Sequence, residues 1–320
     1  MYKTFYNLKR NPFEITPDPA FLFPTKRHNE ALASLYYGVR RHKGFVVLTG
    51  EVGTGKTLLL RCLLHYLKTS HDVAYSCLFD SRLSPMEFLQ YVVSSLSLPV
   101  TGKNKSELLL DLHNYVITRG LKKLTTVLIV DEAHQSSAET LEEVRLLTNL
   151  ETTEEKLLQV LLVGQPELDE KLDSVELRQL KQRISVRVRL EPLDSEETSG
   201  YVKRRLLLAG ANSHSEALFP GQTIAAVYRH SRGIPRLINT ICENALITAY
   251  AKKMPTVTPA LVDAVADDFR LNLVHKSEPE MKGPSEQDVQ NAMRTLLEIY
   301  ASVKKRSREA EIGVQRTTFS

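Results

Sequence analysis

The stretch Gly50-Glu51-Val52-Gly53-Thr54-Gly55-Lys56-Thr57 (GEVGTGKT) decides the fold. It follows a short apolar run, Gly44–Thr49, and leads into the segment Lys56–Lys68, whose apolar residues have helical spacing. Glycines in such a loop let backbone N–H groups surround a phosphate, and the N-terminus of the next helix adds the positive end of its dipole. The alternative is a glycine-rich turn that matches by chance. The pattern therefore predicts a phosphate-binding loop between a strand and a helix.

Two side chains of this loop have specific expected roles. We expect Lys56 to reach the β- and γ-phosphates of a nucleotide and the Thr57 hydroxyl to ligate Mg²⁺. The sequence thus predicts ATP and Mg²⁺ as ligands. The residues expected to bind the nucleotide here are Gly50, Glu51, Val52, Gly53, Thr54, Gly55, Lys56, Thr57 and Leu58.

A second motif consists of the apolar run Val127–Val130 followed by Asp131 and Glu132. We expect Asp131, at the end of a strand, to contribute to nucleotide binding by holding Mg²⁺ through water. Glu132 is expected to polarise the water that attacks the γ-phosphate. Two acids that cap the following helix are the alternative. His134, the last residue of the tetrapeptide DEAH, either faces the γ-phosphate or packs at the start of that helix.

A third candidate is Gln165, which follows the apolar strand predicted at Leu157–Val163. A polar side chain at the tip of a strand beside Asp131 is suited to sense the γ-phosphate. A loop amide bonded to the backbone is the alternative. Gln165 therefore joins Lys56 and Glu132 as a candidate catalytic residue.

Three arginines are candidates for contact with a nucleotide. Arg178 and Arg183 precede the last predicted strand, Val186–Leu190, where an arginine can be offered to the nucleotide of a neighbouring subunit. Arg236 lies in the first turn of a predicted helix, where a cation opposes the helix dipole and needs another reason to be present. A solvated surface arginine is the alternative for each. The N-terminal stretch 11–19 (NPFEITPDP) either packs on an adenine base or attaches the arm to the domain.

The order of predicted elements indicates two domains. Strands predicted at 73–78, 127–130 and 157–163 are largely apolar, as in a parallel sheet covered by helices on both faces. After Pro192 only helical spacing is found, including a helix capped by Ser195. We therefore predict a three-layer α/β sandwich with a parallel sheet, followed by a small all-helical lid. The expected boundaries are 1–43 for an arm and helix, 44–192 for the α/β domain, 193–274 for the lid, 275–284 for a linker, and 285–320 for an amphipathic helix and basic tail.

Composition excludes several classes of protein. The chain has 320 residues, of which 42% are hydrophobic and 25% charged, as in an ordinary globular protein. No apolar run is long enough to span a membrane, and the N-terminus has charges and prolines where a signal peptide needs an apolar stretch. A net charge of +4 does not by itself indicate nucleic-acid binding. We expect a cytoplasmic protein whose three unpaired cysteines are reduced core residues.

In this order the motifs resemble those of AAA+ ATPases, and more closely the ExeA/GspA family of general-secretion-pathway ATPases. The resemblance covers roughly residues 1–270. Transposition regulators such as TnsC and MuB share this architecture more distantly. The stretches that carry the resemblance are NPFEITPDPAFLF, GFVVLTGEVGTGKT, VLIVDEAH, LTNLETTEEKLLQVLLVGQPEL, LRQLKQRI and SRGIPRLIN.

The resemblance implies a role for each matching position. Lys56 and Thr57 match the Walker A motif, and Asp131 and Glu132 match the Walker B motif. Gln165 matches sensor 1. The family usually has glutamine at the position of His134. The arginine finger is matched by Arg178 or Arg183, and the sensor 2 arginine by Arg236.

The resemblance also implies a function. We expect an ATPase that hydrolyses Mg-ATP at the interface between copies in a ring or filament and drives conformational change in a protein partner. That partner is expected in secretion, pilus or exopolysaccharide assembly. Family members continue into a membrane span and a peptidoglycan-binding domain. We expect neither in this chain, so the wall-remodelling role is not transferred.

Two alternatives remain open at this point. One is an ATP-dependent, DNA-binding regulator of the transposition type, which the basic C-terminal end and Lys203, Arg204 and Arg205 permit. A solvated charged face explains the same residues. The other is an interaction adaptor that uses the apolar stripe from Val289 to Val303, although such a stripe also packs on its own lid.

Overall fold

A five-stranded sheet lies at the centre of the larger domain. All its pairs are parallel, and the spatial order is β2-β3-β4-β1-β5. The inner strands are buried at every position, whereas the two edge strands are partly exposed. Buried apolar strands of this kind confirm the parallel sheet predicted from the sequence. The strands are β1 (Phe45–Gly50), β2 (Val73–Leu78), β3 (Thr125–Val130), β4 (Leu158–Gly164) and β5 (Ile184–Leu190).

The computed structural model describes residues 2–15, 18–79, 82–151, 155–211 and 215–271. The predicted linker 275–284, the helix and tail 285–320 and the last three residues of the predicted lid lie outside these ranges. The helices are α1 (Tyr2–Phe5), α2 (Lys26–Arg40), α3 (Lys56–Lys68), α4 (Pro85–Ser95), α5 (Lys105–Leu121), α6 (Ala138–Leu147), α7 (Glu167–Leu172), α8 (Arg178–Lys181), α9 (Ser195–Leu208), α10 (Ser215–Leu218), α11 (Gly221–Ser231), α12 (Pro235–Ala251) and α13 (Pro259–Asp268), with 3₁₀ turns at Pro19–Phe21 and Ala133–Gln135.

Helices cover both faces of the sheet. Successive strand residues point to opposite faces, so Val46 and Leu48 of β1 pack with α2 and α3, while Phe45 and Val47 pack with α4, α5 and α6. The two apolar layers between sheet and helices make the three-layer α/β sandwich that the sequence predicts. With the phosphate-binding loop Gly50–Thr57 after β1, this arrangement is the α/β fold of the P-loop NTPases.

The all-helical part, residues 193–271, is called the lid below. Its helices enclose a separate apolar core that includes Val202, Val227, Leu246 and Val262. The first of them, α9, begins at Ser195, so the predicted cap at Ser195 is wrong by one residue. The carboxylate of Asp194 accepts the N–H of Glu197 at 2.8 Å, and the carboxylate of Glu197 accepts the N–H of Asp194 at 3.0 Å. An aspartate satisfies the free N–H groups of a first turn as well as a serine does.

A glycine fixes the junction between the two domains. The N–H of Leu193 donates to the carbonyl of Gly233 at 2.9 Å, and Gly233 has a φ of +75°. A Cβ at this position would lie 1.7 Å from the carbonyl oxygen of Leu193. Only glycine therefore fits here, because it has both the backbone freedom and the space.

Two further findings bear on the expectations from composition. In the described part of the chain, no helix combines the length and apolar character that crossing a bilayer requires. Cys62 and Cys242 are buried, and burial raises the pKa of the half-buried Cys77 thiol to about 12. A thiol with a raised pKa is a poor nucleophile, as expected of a core residue.

Candidate nucleotide-binding site

The loop Gly50–Thr57, called the P-loop below, connects the carboxyl end of β1 to the first turn of α3. Gly53 and Gly55 have φ values of +81° and +106°, which only glycine adopts without strain. The Thr54 hydroxyl donates to the carbonyl of Glu51 at 2.8 Å and closes the turn. The result is a loop whose N–H groups precede a helix N-terminus, which is suited to bind an anion.

Lys56 is buried at the base of this loop. Its Nζ donates to the carbonyls of Gly50 at 2.7 Å and Glu51 at 3.0 Å. Burial lowers the pKa of Lys56, and the nearby carboxylates of Glu132 and Asp131 oppose that shift. The ammonium group therefore lies between the loop and the acidic strand end, where a phosphate would receive its charge.

Asp131 follows β3 and is 4% exposed. Its Oδ1 accepts the N–H of Glu132 at 2.9 Å, and burial raises the pKa of Asp131. A buried carboxylate that is costly to ionise gains from a bound cation. Asp131 and the Thr57 hydroxyl are thus suitable to hold Mg²⁺, which binds through few protein ligands together with phosphate oxygens and water.

Glu132 has a φ of +51°, in the left-handed region that non-glycine residues seldom adopt. Strained residues of this kind are concentrated at functional sites. Gln165 Nε2 lies 3.4 Å from Glu132 Oε2, and His134 Nδ1 lies 3.5 Å from the same oxygen. The N–H of Gln165 also donates to His134 Nδ1 at 3.4 Å. Glu132, His134 and Gln165 therefore form one polar cluster at the ends of β3 and β4.

Arg236 brings the lid to the P-loop. It is the second residue of α12, as predicted, and its N–H donates to the carbonyl of Gly53 at 3.2 Å. A Cβ on Gly53 would lie 2.6 Å from the Cβ of Arg236, so glycine is needed for this close approach. The side chain of Arg236 lines the same cavity as Lys56, Thr57, Glu132 and Gln165. We call this part of the cavity the phosphate end.

The cavity is also lined by five further residues, and we call this set the base end. Sequence reasoning named the stretch 11–19, which contains Ile15 and Asp18, but missed the lid residues as part of this site. Two of the five come from the N-terminal arm, defined as residues 2–25, and three come from the lid. Tyr201 and Arg205 are one turn apart on α9, and Asn239 is one turn beyond Arg236 on α12, so helical spacing was the one available signal. The residues of the base end are Ile15, Asp18, Tyr201, Arg205 and Asn239.

The arm attaches to the lid, which is one of the two alternatives stated above, and it also borders the cavity. Contact of the arm with an adenine base stays a prediction. Phe13 is fully buried in the lid core, with its ring centroid 5.7 Å from that of Phe219. Ile15 and Asp18 line the base end. At the end of the arm, His28 Nδ1 lies 2.7 Å from the hydroxyl of Thr25, and burial lowers the pKa of His28.

The two candidate finger arginines differ in environment. Arg183 is half-buried, and its Nη1 donates to the Thr148 hydroxyl at 2.8 Å and to the carbonyl of Arg145 at 3.3 Å. These bonds attach it to the end of α6 in its own domain. Arg178 is exposed at the start of α8. Neither arginine is among the described residues that line the cavity of its own chain.

One residue of the basic lid set is not on the surface. Arg205 is 6% exposed and donates to backbone carbonyls of the arm. The prediction that Arg205 belongs to a charged lid surface is therefore wrong. Arg204, its neighbour on α9, is exposed.

Comparison with known proteins agrees with this geometry. A protein-family model for the AAA domain matches residues 39–172. General secretion pathway protein A of Aeromonas hydrophila is 44% identical over 253 residues, a match that covers 79% of this chain and 45% of that protein. The chain belongs to the AAA+ ATPases. The resemblance inferred from the motifs is thereby confirmed, and the chain spans less than half the length of this relative.

Solved structures share the fold of this AAA+ protein. ORC2 of Aeropyrum pernix, solved in ADPNP and ADP complexes, has a TM-score of 0.59 and 18% identity, over 81% of this chain and 72% of that one. Cdc6p of Pyrobaculum aerophilum has a TM-score of 0.60 and 17% identity, over 80% and 70%. At such low identity the likeness concerns the fold alone.

Proposed function

We propose that this AAA+ protein binds Mg-ATP in the cavity between the α/β domain and the lid and hydrolyses it. The observation that carries the proposal is the convergence on one cavity of a P-loop lysine, a strained glutamate and a lid arginine, namely Lys56, Glu132 and Arg236. A glycine loop alone is compatible with simple phosphate binding. A carboxylate and two cations around the same space support hydrolysis.

Each residue has a distinct task in this proposal. The P-loop N–H groups and Lys56 bind the β- and γ-phosphates. Thr57 and Asp131 would hold Mg²⁺, which would neutralise charge on the phosphates. Glu132 accepts a proton from the attacking water, and Gln165, 3.4 Å from Glu132, orients that pair relative to the γ-phosphate.

The arginines complete the charge around the transferred phosphoryl group. Arg236 reaches the phosphates from the lid, so lid position and nucleotide state are coupled. We propose Arg178 as the finger, because it is exposed while Arg183 is bonded to α6. An exposed arginine acts on the nucleotide of a neighbouring copy, and the working unit is then a ring or filament of identical chains.

The proposed output is conformational change in a protein partner. The name of the Aeromonas hydrophila relative supports a partner in the general secretion pathway. We propose that this chain serves an envelope or secretion assembly in that way. Replacing the gene in its host by a Lys56→Ala allele is expected to lower the amount of secreted protein, and unchanged secretion would contradict this partner.

The enzymatic proposal is tested by ATP turnover of the purified protein with and without Mg²⁺. We expect Mg²⁺-dependent phosphate release whose specific activity falls on dilution, because the finger comes from another copy. Turnover that is independent of protein concentration would contradict the finger from a neighbour. Absence of turnover at every concentration would contradict hydrolysis itself.

A further inference from the structure

We propose that Arg205 is a positioning residue that holds the N-terminal arm against the lid and so forms the base end of the nucleotide cavity. This inference rests on the proposed function, because it assumes that a nucleotide occupies the cavity. The observations that support it are the contacts that connect the arm, α9 and α12.

The first contacts are hydrogen bonds to the arm. Nη1 of Arg205 donates to the carbonyl of Pro12 at 3.0 Å and to the carbonyl of Glu14 at 3.2 Å. Glu14 immediately precedes Ile15, which lines the base end, and Pro12 lies three residues before it. Charge-assisted hydrogen bonds are the stronger kind, so this stretch of backbone is fixed by one guanidinium group.

The second contacts are with aromatic rings. The guanidinium carbon of Arg205 lies 4.8 Å from the ring centroid of Phe21 and 5.1 Å from that of Tyr201. A flat cation over a ring face is attractive, more so when it is desolvated. Phe21 follows Asp18 in the arm, whereas Glu14 precedes it. Arg205 therefore holds the arm on both sides of Ile15 and Asp18.

The chemistry of Arg205 points to more than packing. It is 6% exposed, and its Nε has no hydrogen-bond partner among the described residues. A buried and incompletely bonded charge is costly, and an apolar side chain of similar size often replaces one without loss of stability. What an apolar side chain lacks is a planar cation that donates to two carbonyls through Nη1 while its face lies against two rings. The cost is thus explained by the geometry imposed on the arm.

The contacts continue from Arg205 to the helix that carries Arg236. The Tyr201 hydroxyl donates to Asn239 Oδ1 at 2.9 Å, and both side chains line the cavity. Asn239 is one turn beyond Arg236 on α12. Arm, α9 and α12 thus form one wall, and loss of the guanidinium removes the arm from that wall while leaving the P-loop intact.

The test compares ATP with inorganic tripolyphosphate, which has the phosphates but no base or ribose. Both are measured by competition with a fluorescent ATP analogue, on the full chain. We expect Arg205→Ala to raise the Kd of ATP about tenfold or more, as for a lost charge-assisted hydrogen bond, and to leave tripolyphosphate unchanged. Arg205→Lys should be intermediate, because an ammonium bonds the carbonyls but lacks the planar face. Arg204→Ala, on the exposed side of α9, is the matched control.

A second readout reports the arm directly. Trypsin cleavage after Arg10 should be faster in Arg205→Ala than in Arg204→Ala, because the following stretch has lost its anchor. If Arg205→Ala does not fold, the comparison of Arg205→Lys with Arg204→Ala decides in its place.

The outcomes separate the inference from the function on which it rests. ATP affinity and cleavage equal to those of Arg204→Ala would overturn the role of Arg205 and leave ATP binding standing. An equal loss of both ligands would show a merely structural role and overturn it too. A wild-type chain that binds neither ligand would overturn the proposed function instead.

Discussion

Most of the phosphate end of the cavity comes from two short contiguous motifs, to which Gln165 and Arg236 each add one residue, whereas the base end consists only of single residues from three separated segments. At the phosphate end, glycines at 53 and 55 let the backbone bind, and Asp131 and Glu132 are neighbours in sequence. At the base end, arm and α9 residues meet although more than 180 positions separate Asp18 from Tyr201. The two ends of one site therefore differ in how far a sequence reveals them.

The difference follows from the part of the nucleotide that we propose for each end. A phosphate is bound by N–H groups that converge only when glycines take left-handed conformations at fixed spacing. A site of this kind therefore has a short sequence motif that can be recognised. A base and ribose are bound by shape and by isolated polar groups, which any correctly placed side chain can supply. Such a wall leaves only helical spacing in the sequence.

The largest expected effect separates chemistry from binding at the phosphate end. Glu132→Gln should lower the rate of ATP turnover by about 10²- to 10⁴-fold, as for loss of a general base, while ATP still binds. Turnover and binding of the fluorescent analogue are measured side by side. Glu139→Gln, an exposed acid in the first turn of α6, is the control. Equal turnover in the two variants would remove Glu132 from the mechanism.

The next effect concerns Gly233, which lies at the junction between the α/β domain and the lid. Gly233→Ala places a Cβ 1.7 Å from the carbonyl oxygen of Leu193 at a φ of +75°. We expect a loss of more than about 2 kcal/mol in the free energy of unfolding, from strain and a displaced lid. Gly221→Ala is the control, since its Cβ meets no atom within 4 Å. Denaturant titration of both variants measures the difference, and matching midpoints would contradict the role of Gly233.

A smaller effect distinguishes the two finger candidates. Arg183→Ala should lower stability by about 1 kcal/mol, because it removes hydrogen bonds to the end of α6. Arg178→Ala should leave the melting temperature unchanged and lower turnover only at concentrations where copies assemble. Turnover of equimolar Arg178→Ala and Glu132→Gln mixtures gives a further check, since each variant supplies what the other lacks. If only Arg183→Ala lowered turnover, the arginine finger would be Arg183 and not Arg178.

The smallest effect tests the electrostatic cost at the phosphate end. Burial raises the pKa of Asp131 in the folded state above its unfolded value. At neutral pH the folded protein therefore bears the cost of an ionised buried carboxylate, and Asp131→Asn should melt at a higher temperature in the absence of Mg²⁺. As the pH falls through the folded-state pKa of Asp131, the wild type regains that stability and the difference should vanish. A difference that persists in acid would have another cause.

The fold was largely predictable because long elements have long patterns. The inner strands are buried at every position and largely apolar. The predicted bounds of α3 and β2 are those of the structure. The short helices α7 and α8 escaped prediction, since six and four residues are too few for a helical period to appear. The cap of α9 was misassigned because Asp194 and Ser195 are both good caps and only the geometry separates them.

The parts of the site that belong to short sequence motifs were predictable, and the parts assembled from distant segments were not. Lys56, Thr57, Glu132, Gln165 and Arg236 meet at one cavity, as their motifs predict. Their individual roles remain predictions. Arg205 could not be predicted, because a sequence does not distinguish a buried arginine from the exposed Arg204 beside it. Its acceptors are the backbone carbonyls of Pro12 and Glu14. Every residue type has a backbone carbonyl, so such a contact cannot be recognised in the sequence.

The chain passes between the lid side and the α/β domain twice in close proximity. One passage runs along the arm into α2 and the other from β5 to α9, and an ion pair between Arg27 and Glu191 places them side by side. Two adjacent connections permit rotation about the line that joins them and oppose other displacements. Helix α12 begins at this line, since Gly233 is bonded to Leu193, and its 17 residues extend about 25 Å. A turn of about 10° there would move the far end of α12 by about 4 Å, so under the proposed function this helix would enlarge a small rearrangement at Arg236.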